Sequence, residues 1–318
     1  MRHFTELTDV TRDELVQLLR EAARLKAAHL RREPIETLKY RIIALIFEKP
    51  SLRTHVSFEA AIAQLGGSSL FLDGQDVGFG WRETLSDFMR SMNHYVDALV
   101  LRVFKHSTIT GMQAAAKIPI VNGLSDEAHP CQAVADLLTI QEACGTLEGV
   151  RVAYLGDGTN VARSLAVLGA LAGVHVTVAS PPGYALEGDL ALPDEASGTL
   201  TLYENPYEAV AGAQAICTDV WVSMGQEEDA DRLAALAAYR LDDALLDAAA
   251  PGAFALHCLP AHPGQEITAE VLYGQRQRIW DQAENRRHAQ KALLELLLRP
   301  AGEHPAAAPA DRAAGATA

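Results

Sequence analysis

The strongest constraint on the fold is a repeated alternation of short apolar runs with amphipathic segments. Apolar runs at 41–47, 98–103 and 118–121 are separated by segments with helical spacing at 54–65 and 83–95. Buried strands that alternate with helices are typical of a parallel sheet covered by helices. The first half of the chain is therefore predicted to be an α/β domain.

The same alternation begins again in the second half. A predicted strand at 150–155 is followed by a helix at 160–172 and a strand at 174–179, and further strands are expected at 215–218 and 253–256. A chain of 318 residues also exceeds the usual size of one hydrophobic core. The predicted fold class is α/β, with two domains that are each a mainly parallel sheet flanked by helices.

The pattern also sets the predicted domain boundaries. The first domain is expected at 1–140, beginning with an amphipathic helix at 13–31, and the second at 150–283. Residues 284–298 have helical character. The tail at 301–318 consists of Ala, Pro and Gly with scattered charges, and we expect it to be disordered.

Charge and composition limit the class of partner. The formal net charge of −14 opposes binding of nucleic acid or anionic membranes, although a local basic pocket could still bind one small phosphorylated molecule. No apolar run approaches the roughly 20 residues that span a bilayer, and no signal peptide is recognisable. The four cysteines form no CxxC pair. We therefore expect a cytoplasmic protein with reduced thiols that binds metabolites.

A candidate phosphate site lies where the first predicted strand passes into a helix. Ser51 is a good helix N-cap, and the unpaired amides of a helix start bind anions. Arg53 adds a planar fork of donors. Ser51 could instead merely cap the helix while Arg53 is a surface charge. Arg102 lies at the end of a second predicted strand and the polar run 126–132 follows a third, and ligands of open α/β sheets bind at such strand ends.

Four motifs resemble those of the aspartate and ornithine carbamoyltransferase family. Ser-Leu-Arg-Thr at 51–54 is similar to the family's Ser-Thr-Arg-Thr motif, and His-Pro-Cys-Gln at 129–132 matches its ornithine branch. The Asp-x-x-x-Ser-Met-Gly loop at 219–225 and His-Cys-Leu-Pro at 257–260 resemble further signatures of that branch. The resemblance extends to about Leu298. It implies carbamoyl transfer from carbamoyl phosphate to the side-chain amine of ornithine, in arginine metabolism.

The resemblance implies a role for each matching residue. The carbamoyl phosphate site would comprise Ser51, Leu52, Arg53, Thr54, Arg102, His129, Gln132, Cys258, Leu259 and Arg286. The ornithine site would comprise Asn160, Asp219, Ser223 and Met224. Catalytic roles would fall to Arg102, His129, Asp219 and Cys258. The first two, with Thr54, would stabilise the oxyanion, while Asp219 would orient the amine with help from Cys258.

The resemblance also implies which domain binds which substrate and how the subunits assemble. The first domain would bind carbamoyl phosphate, the second would bind ornithine, and the helix at 284–298 would pack back onto the first. Members of the family form trimers with shared sites, and Gln75 in the loop at 73–78 is the candidate that enters a neighbouring site. No metal or organic cofactor is implied.

Two residues depart from the family motif. Leu52 replaces a threonine, which removes a hydroxyl but leaves the backbone amide, and His55 stands where a second arginine is common. We expect altered support of the site and retained chemistry. Taken singly, Asn160 could be a helix cap, Cys258 a small buried hydrophobe and Arg286 an exposed charge.

Other classes compete for single motifs. A nicotinamide dehydrogenase would explain Gly-Asp-Gly at 156–158, but Val161 stands where the third glycine of the fingerprint belongs. A zinc site built from His257, Cys258 and His262 would need awkward adjacent ligands.

The remaining alternatives concern the acceptor and the activity itself. A catalytically silent homologue is the non-enzyme alternative, although both substrate sites look complete. Asp219 disfavours the dicarboxylate aspartate as acceptor. Acetylornithine and putrescine stay open as alternatives to ornithine.

Overall fold

The structure is a computed structural model that describes residues 2–187, 190–222 and 229–299. The helices are α1 Arg12–Leu30, α2 Leu52–Gln64, α3 Gly74–Val77, α4 Leu85–Tyr95, α5 His106–Gln113, α6 Pro130–Cys144, α7 Asn160–Leu171, α8 Pro206–Val210, α9 Ala230–Leu236, α10 Asp243–Ala248, α11 Ala269–Tyr273 and α12 Ile279–Leu298. The strands are β1 Ile42–Phe47, β2 Ser68–Asp73, β3 Ala98–Arg102, β4 Ile120–Leu124, β5 Arg151–Leu155, β6 His175–Ala179, β7 Thr199–Tyr203, β8 Ala215–Thr218 and β9 Phe254–His257.

The first half of the chain forms a parallel sheet with the strand order β2-β1-β3-β4. Its central strands β1 and β3 are almost wholly buried, as expected for apolar runs covered by helices on both faces. Phe47 at the end of β1 pairs in register with Arg102 at the end of β3. The residues that follow these two strands therefore emerge side by side at the carboxyl edge of the sheet.

The second half forms another parallel sheet, with the order β7-β6-β5-β8-β9. The chain builds outward from β5 in one direction and then returns to build outward in the other, so β5 and β8 flank a topological switch point. Leu155, Thr218 and His257 are in register across β5, β8 and β9. Asp219 and Cys258, the next residues after two of these strands, consequently emerge together.

The last helix, α12, packs against α1, α2 and α6. Asn285 donates to Thr139 Oγ1 on α6 at 3.0 Å. One oxygen of Glu295 accepts from Thr37 at 2.6 Å, and the other accepts from Arg24 on α1 at 3.1 Å. These bonds attach α12 to segments of the chain that precede the second sheet.

The predicted fold class of two parallel sheets flanked by helices is confirmed. Most predicted strands and helices lie within two residues of their observed bounds, but the strands β2 and β7 and the helices α3, α5, α6, α8, α9, α10 and α11 were not predicted. Both missed strands are sheet edges with largely exposed side chains, so they lack a continuous apolar run. The strand predicted at 118–121 begins at Ile120 in the structure, so the predicted start was two residues too early. Pro119 has no amide hydrogen to donate to a neighbouring strand, and the strand begins after it.

Two further expectations concern the C-terminal part and membranes. Helix α12 begins at Ile279, five residues before the predicted helix at 284–298. The predicted disordered tail at 301–318 lies outside the described residues. Across the described ranges, no helix is both long and apolar enough to span a bilayer.

The packing of α12 yields a stability prediction. Leu294 is fully buried in the main core, whereas Leu30 at the end of α1 is 68% exposed. Leu294→Ala should lower the free energy of unfolding by ~2–5 kcal/mol, because it removes buried methyl groups and leaves a cavity. Leu30→Ala, the matched control, should change it by less than about 0.5 kcal/mol. Urea denaturation followed by circular dichroism measures both, and equal effects would contradict the described packing.

Candidate active site

The start of α2 lines a cavity at the carboxyl edge of the first sheet. Ser51 has the extended backbone of an N-cap, and its hydroxyl accepts from the Thr54 amide at 3.4 Å. Arg286 on α12 donates to Thr54 Oγ1 at 2.7 Å, and both side chains are buried. A residue near the end of the chain thus holds the motif at 51–54, whose remaining amides are available to an anion.

The cavity has a volume of about 640 Å³ and lies between the carboxyl edges of the two sheets. Most of the predicted site residues line it: Ser51, Leu52, Arg53, Thr54, Arg102, His129, Asn160, Asp219, Cys258, Leu259 and Arg286. Gln132 is buried and does not line the cavity. Ser223 and Met224 lie outside the described residues.

Two buried arginines give the cavity a cationic end. Burial, together with the nearby Arg286, lowers the pKa of Arg102 to about 10. Burial also lowers the pKa of Arg286, with Arg53 contributing in the same direction. The Nε atoms of Arg102 and Arg286 have no hydrogen-bond partner, and no carboxylate in the described part of the chain forms a salt bridge with either group. An anion would satisfy both.

His129 is a neutral donor or acceptor at this end of the cavity. Burial first, and then the charges of Arg286 and Arg102, hold its pKa well below the usual value. Its Nδ1 is buried without a partner. The His129 amide donates to Ser164 Oγ at 2.8 Å, and Ser164 donates to the Asn160 carbonyl at 2.6 Å, so α7 fixes the backbone of His129. A neutral imidazole held in this way can donate one hydrogen bond to a substrate carbonyl.

Gln132 lies behind the cavity wall, in contact with a buried carboxyl group. Its amide nitrogen donates to Asp136 Oδ1 at 3.0 Å, and that of Gln282 on α12 donates to the same oxygen at 2.7 Å. Burial raises the pKa of Asp136 to about 7, although both amide bonds act in the opposite direction. Sequence reasoning missed Asp136. Its one signal is an acidic residue within a helix whose neighbouring positions are apolar.

The second sheet contributes the other end of the cavity. The Cys258 thiol donates to Asp219 Oδ1 at 2.7 Å, and the Val220 amide donates to the same oxygen at 2.7 Å. Burial and the nearby Asp219 raise the pKa of Cys258 well above its usual value, so the thiol stays protonated as a donor. Asn160, the first residue of α7, donates to the Ser125 carbonyl at 2.6 Å. The predicted amine-site residues therefore lie together where the structure describes them.

Distance alone would admit a metal ion beside this pair. Ligand atoms of Asp219, His257 and Cys258 lie within 4.8 Å of one another. However, both ring nitrogens of His257 are already engaged: Nδ1 with the Leu259 amide at 2.8 Å and Nε2 with Glu266 Oε1 at 3.1 Å. A metal ligand needs a free nitrogen lone pair and a deprotonated thiol, so this group is poorly suited to zinc.

The two departures from the family motif have different surroundings. Leu52 is 75% exposed at the rim of the cavity. The ring of His55 stacks on Phe71 of β2 with a centroid distance of 4.0 Å and meets Phe47 edge-on. His55 Nε2 also lies 3.3 Å from Glu59. The histidine thus joins the first turn of α2 to the edge strand through aromatic contacts.

Contacts within the protein explain the residues of the Gly-Asp-Gly turn at 156–158. A Cβ at Gly158 would lie 2.3 Å from the backbone nitrogen of Leu186, and the Gly158 amide donates to the Tyr184 carbonyl at 2.7 Å. Asp157 accepts a hydrogen bond from Arg232, whose guanidinium lies over the Tyr184 ring. Close backbone approach within the protein explains the glycine without a dinucleotide.

Several cavity residues were not predicted. Leu124 ends β4 and Val161 is in the first turn of α7, while the others lie in loops that follow strand ends, which is the signal that could have found them. The unpredicted cavity residues are Lys49, Pro50, Phe104, Leu124, Ser125, Thr159, Val161, Val220, Val222, Pro260 and His262.

The two parallel sheets and the cationic cavity between them indicate an α/β protein that binds a small phosphorylated ligand. Two family models match the chain: the carbamoyl-P binding domain of aspartate/ornithine carbamoyltransferase at residues 2–142, and the Asp/Orn binding domain at residues 148–297. The chain therefore belongs to the aspartate/ornithine carbamoyltransferase family, as its motifs predicted, and it is a carbamoyltransferase.

Individual relatives support the same family. The ornithine carbamoyltransferase of Acidothermus cellulolyticus is 49% identical over 308 residues, which cover 95% of this chain and 98% of the relative. The anabolic ornithine carbamoyltransferase of Pseudomonas aeruginosa is 44% identical over 303 residues, covering 95% and 98%. The solved structure of ornithine carbamoyltransferase from Pyrococcus furiosus has a TM-score of 0.89 at 42% identity, covering 93% of this chain and 97% of that one.

The buried Asp136 predicts a pH dependence of stability. Because its pKa rises from 3.8 unfolded to about 7 folded, stability should fall as pH rises from about 4 to about 7. Asp136→Asn stays neutral at every pH. Its free energy of unfolding should therefore exceed that of the wild type by an amount that grows with pH across this window, up to ~4 kcal/mol. Urea denaturation at several pH values measures the difference. Asp13→Asn, at an exposed helix position, is the control, and parallel curves for the wild type and Asp136→Asn would contradict the prediction.

Proposed function

We propose that the chain transfers the carbamoyl group of carbamoyl phosphate to the side-chain amine of L-ornithine, releasing L-citrulline and phosphate. One observation carries this proposal: the Asp219–Cys258 pair lies in the same cavity as the buried arginines. A carboxylate suits an ammonium group, and guanidinium groups without a carboxylate partner suit a phosphate. The relatives named ornithine carbamoyltransferase over nearly the full chain support the same reaction.

In the proposed reaction the arginine end of the cavity binds the donor. The amides at the start of α2, with Arg53 and Arg102, hold the phosphate oxygens. Arg102, Thr54 and neutral His129 donate hydrogen bonds to the carbonyl oxygen. These bonds strengthen as that oxygen becomes negative in the tetrahedral intermediate, which lowers the barrier.

The acceptor enters the other end as an ammonium group attracted by Asp219. It loses one proton, and the neutral nitrogen attacks the carbamoyl carbon. The C–O bond to the phosphate then breaks, the nitrogen loses a second proton, and the departing phosphate takes up one. The protonated Cys258 thiol keeps the carboxylate oriented toward the amine.

The amino-acid end of ornithine is assigned through the motif. Asn160, Ser223 and Met224 are proposed to bind it, and only Asn160 belongs to the described residues. Acetylornithine and putrescine remain the alternative acceptors. The cytoplasm is the proposed location, and arginine metabolism the proposed setting.

We also propose the division into a carbamoyl phosphate domain at 1–140, completed by the helix at 284–298, and an ornithine domain at 150–283. A trimer with shared sites is the proposed assembly. Leu70 and Phe71 on the edge strand β2 are 47% and 43% exposed, which supports coverage by a partner. Gln75 lines a cavity of about 250 Å³ beside this strand and is the proposed contact of a neighbouring subunit.

Parallel assays test the acceptor. Carbamoyl phosphate is offered with ornithine, acetylornithine, putrescine or aspartate, and each carbamoylated product is quantified by mass spectrometry. Citrulline should dominate. Dominance of another product would overturn the ornithine assignment, and absence of every product would overturn carbamoyl transfer.

Substitutions at the two ends of the cavity should give different kinetic defects. Arg102→Ala removes an oxyanion donor and should lower kcat by about 10²–10³-fold. Arg53→Ala should mainly raise the KM for carbamoyl phosphate, whereas Asp219→Asn should mainly raise the KM for ornithine. Steady-state kinetics with each substrate varied in turn measure these effects. Arg90→Ala, an exposed helix position, is the control, and wild-type kinetics in all three site variants would refute the assignment.

A further inference from the structure

We propose that His257 and Glu266 are positioning residues that hold the backbone of Leu259 at the cavity. Neither side chain is among the predicted site residues, and neither lines the cavity. The inference rests on the proposed function, because it assigns their effect to substrate binding and turnover at that site. It concerns the loop formed by residues 258–260, all of which line the cavity.

The hydrogen bonds of His257 fix its tautomer. Its Nδ1 lies 2.8 Å from the Leu259 amide nitrogen, and since an amide can only donate, Nδ1 must accept. The ring proton therefore sits on Nε2, which donates to Glu266 Oε1 at 3.1 Å. Both side chains are completely buried. The imidazole thus connects a buried carboxylate to one backbone amide of the loop.

Leu259 needs such support. Its φ of +59° lies in the left-handed region, which a leucine rarely adopts. Conformations of this kind persist only where surrounding contacts enforce them. The bond from the Leu259 amide to His257 is such a contact, and the side chains on either side of this backbone, Cys258 and Pro260, face the same cavity.

Glu266 is itself anchored at several points. Its Oε1 also accepts from the His262 amide at 2.6 Å, so one oxygen ties together both ends of the segment 257–262. The Glu266 carbonyl accepts from the Leu241 amide at 2.9 Å, and Leu241 is fully buried in the core of the second sheet. A continuous series of bonds therefore runs from that core, through Glu266 and His257, to Leu259.

The purely structural alternative is a buried pair that stabilises the fold without affecting the site. The two cases differ in what the Leu259 amide requires. If His257 positions the loop, any side chain that still accepts from this amide should preserve function. If it only fills space, a nonpolar side chain of similar size should serve as well as an accepting one.

The main experiment compares His257→Asn with His257→Leu. Asn Oδ1 can occupy the place of Nδ1 and accept from Leu259, whereas Leu offers no acceptor. We expect His257→Leu to raise the KM for carbamoyl phosphate and lower kcat with ornithine, each by about tenfold or more, and His257→Asn to stay within about threefold of the wild type. Hydrogen exchange of the Leu259 amide should accelerate by at least about tenfold in His257→Leu alone.

A second pair tests Glu266. Glu266→Gln keeps an acceptor for the His257 ring and should be mild, while Glu266→Met keeps none and should reproduce the defect of His257→Leu. Combining His257→Leu with Glu266→Met should add little, because both remove the same support. Glu295→Gln, at a buried carboxylate that accepts from Thr37 and Arg24 and does not line the cavity, is the control: its melting temperature should fall while its kinetics remain those of the wild type.

Several outcomes would overturn the proposal. These are unchanged Leu259 exchange in folded His257→Leu, faster exchange with unchanged kinetics, or a His257→Asn variant as defective as His257→Leu. Should His257→Leu not fold, the comparison of Glu266→Gln with Glu266→Met decides in its place. If the wild type forms no citrulline, the proposed function fails, while the exchange measurements still decide whether His257 holds Leu259.

Discussion

Two buried guanidinium groups without carboxylate partners are the constraint on which the rest of the structure depends. Burying a charge without a partner is costly, and the lowered pKa values of Arg102 and Arg286 reflect that cost. The surrounding structure offsets only part of it, through the bond that Arg286 donates to Thr54 Oγ1. A bound phosphate would supply the missing counter-charge. Binding free energy and folding free energy are therefore coupled at this position.

The need to hold Arg286 explains why the end of the chain returns to the first sheet. Arg286 reaches Thr54 because α12 packs against α2 and α6. Gln282 and Asn285, one turn and one residue earlier, bond to Asp136 and to a threonine on α6, which fixes the rotation of the helix. Helix α12 is thus a part of the site as well as a part of the core.

Sequence reasoning succeeded where function sits at the ends of buried strands. Asp219 and Cys258 could be placed because apolar runs mark buried strands, and parallel strands end at one edge. Prediction from the sequence failed where a side chain contacts a residue whose position no sequence pattern indicates. The stacking of His55 could not be predicted, because Phe71 lies on an exposed edge strand. The same holds for His257, whose role depends on a carboxylate nine residues away that only the folded loop brings near.

Burial is the largest influence on how charge is distributed along the cavity. It lowers the pKa of Arg102 and of His129, but the arginine starts so high that it remains cationic, whereas the histidine becomes neutral. Burial also keeps the Cys258 thiol protonated beside Asp219. Positive charge is therefore confined to the arginine end, and the thiol adds no negative charge at the other. A substrate pair of phosphate and ammonium can align in one orientation, and neutral donors remain near the carbonyl where negative charge develops.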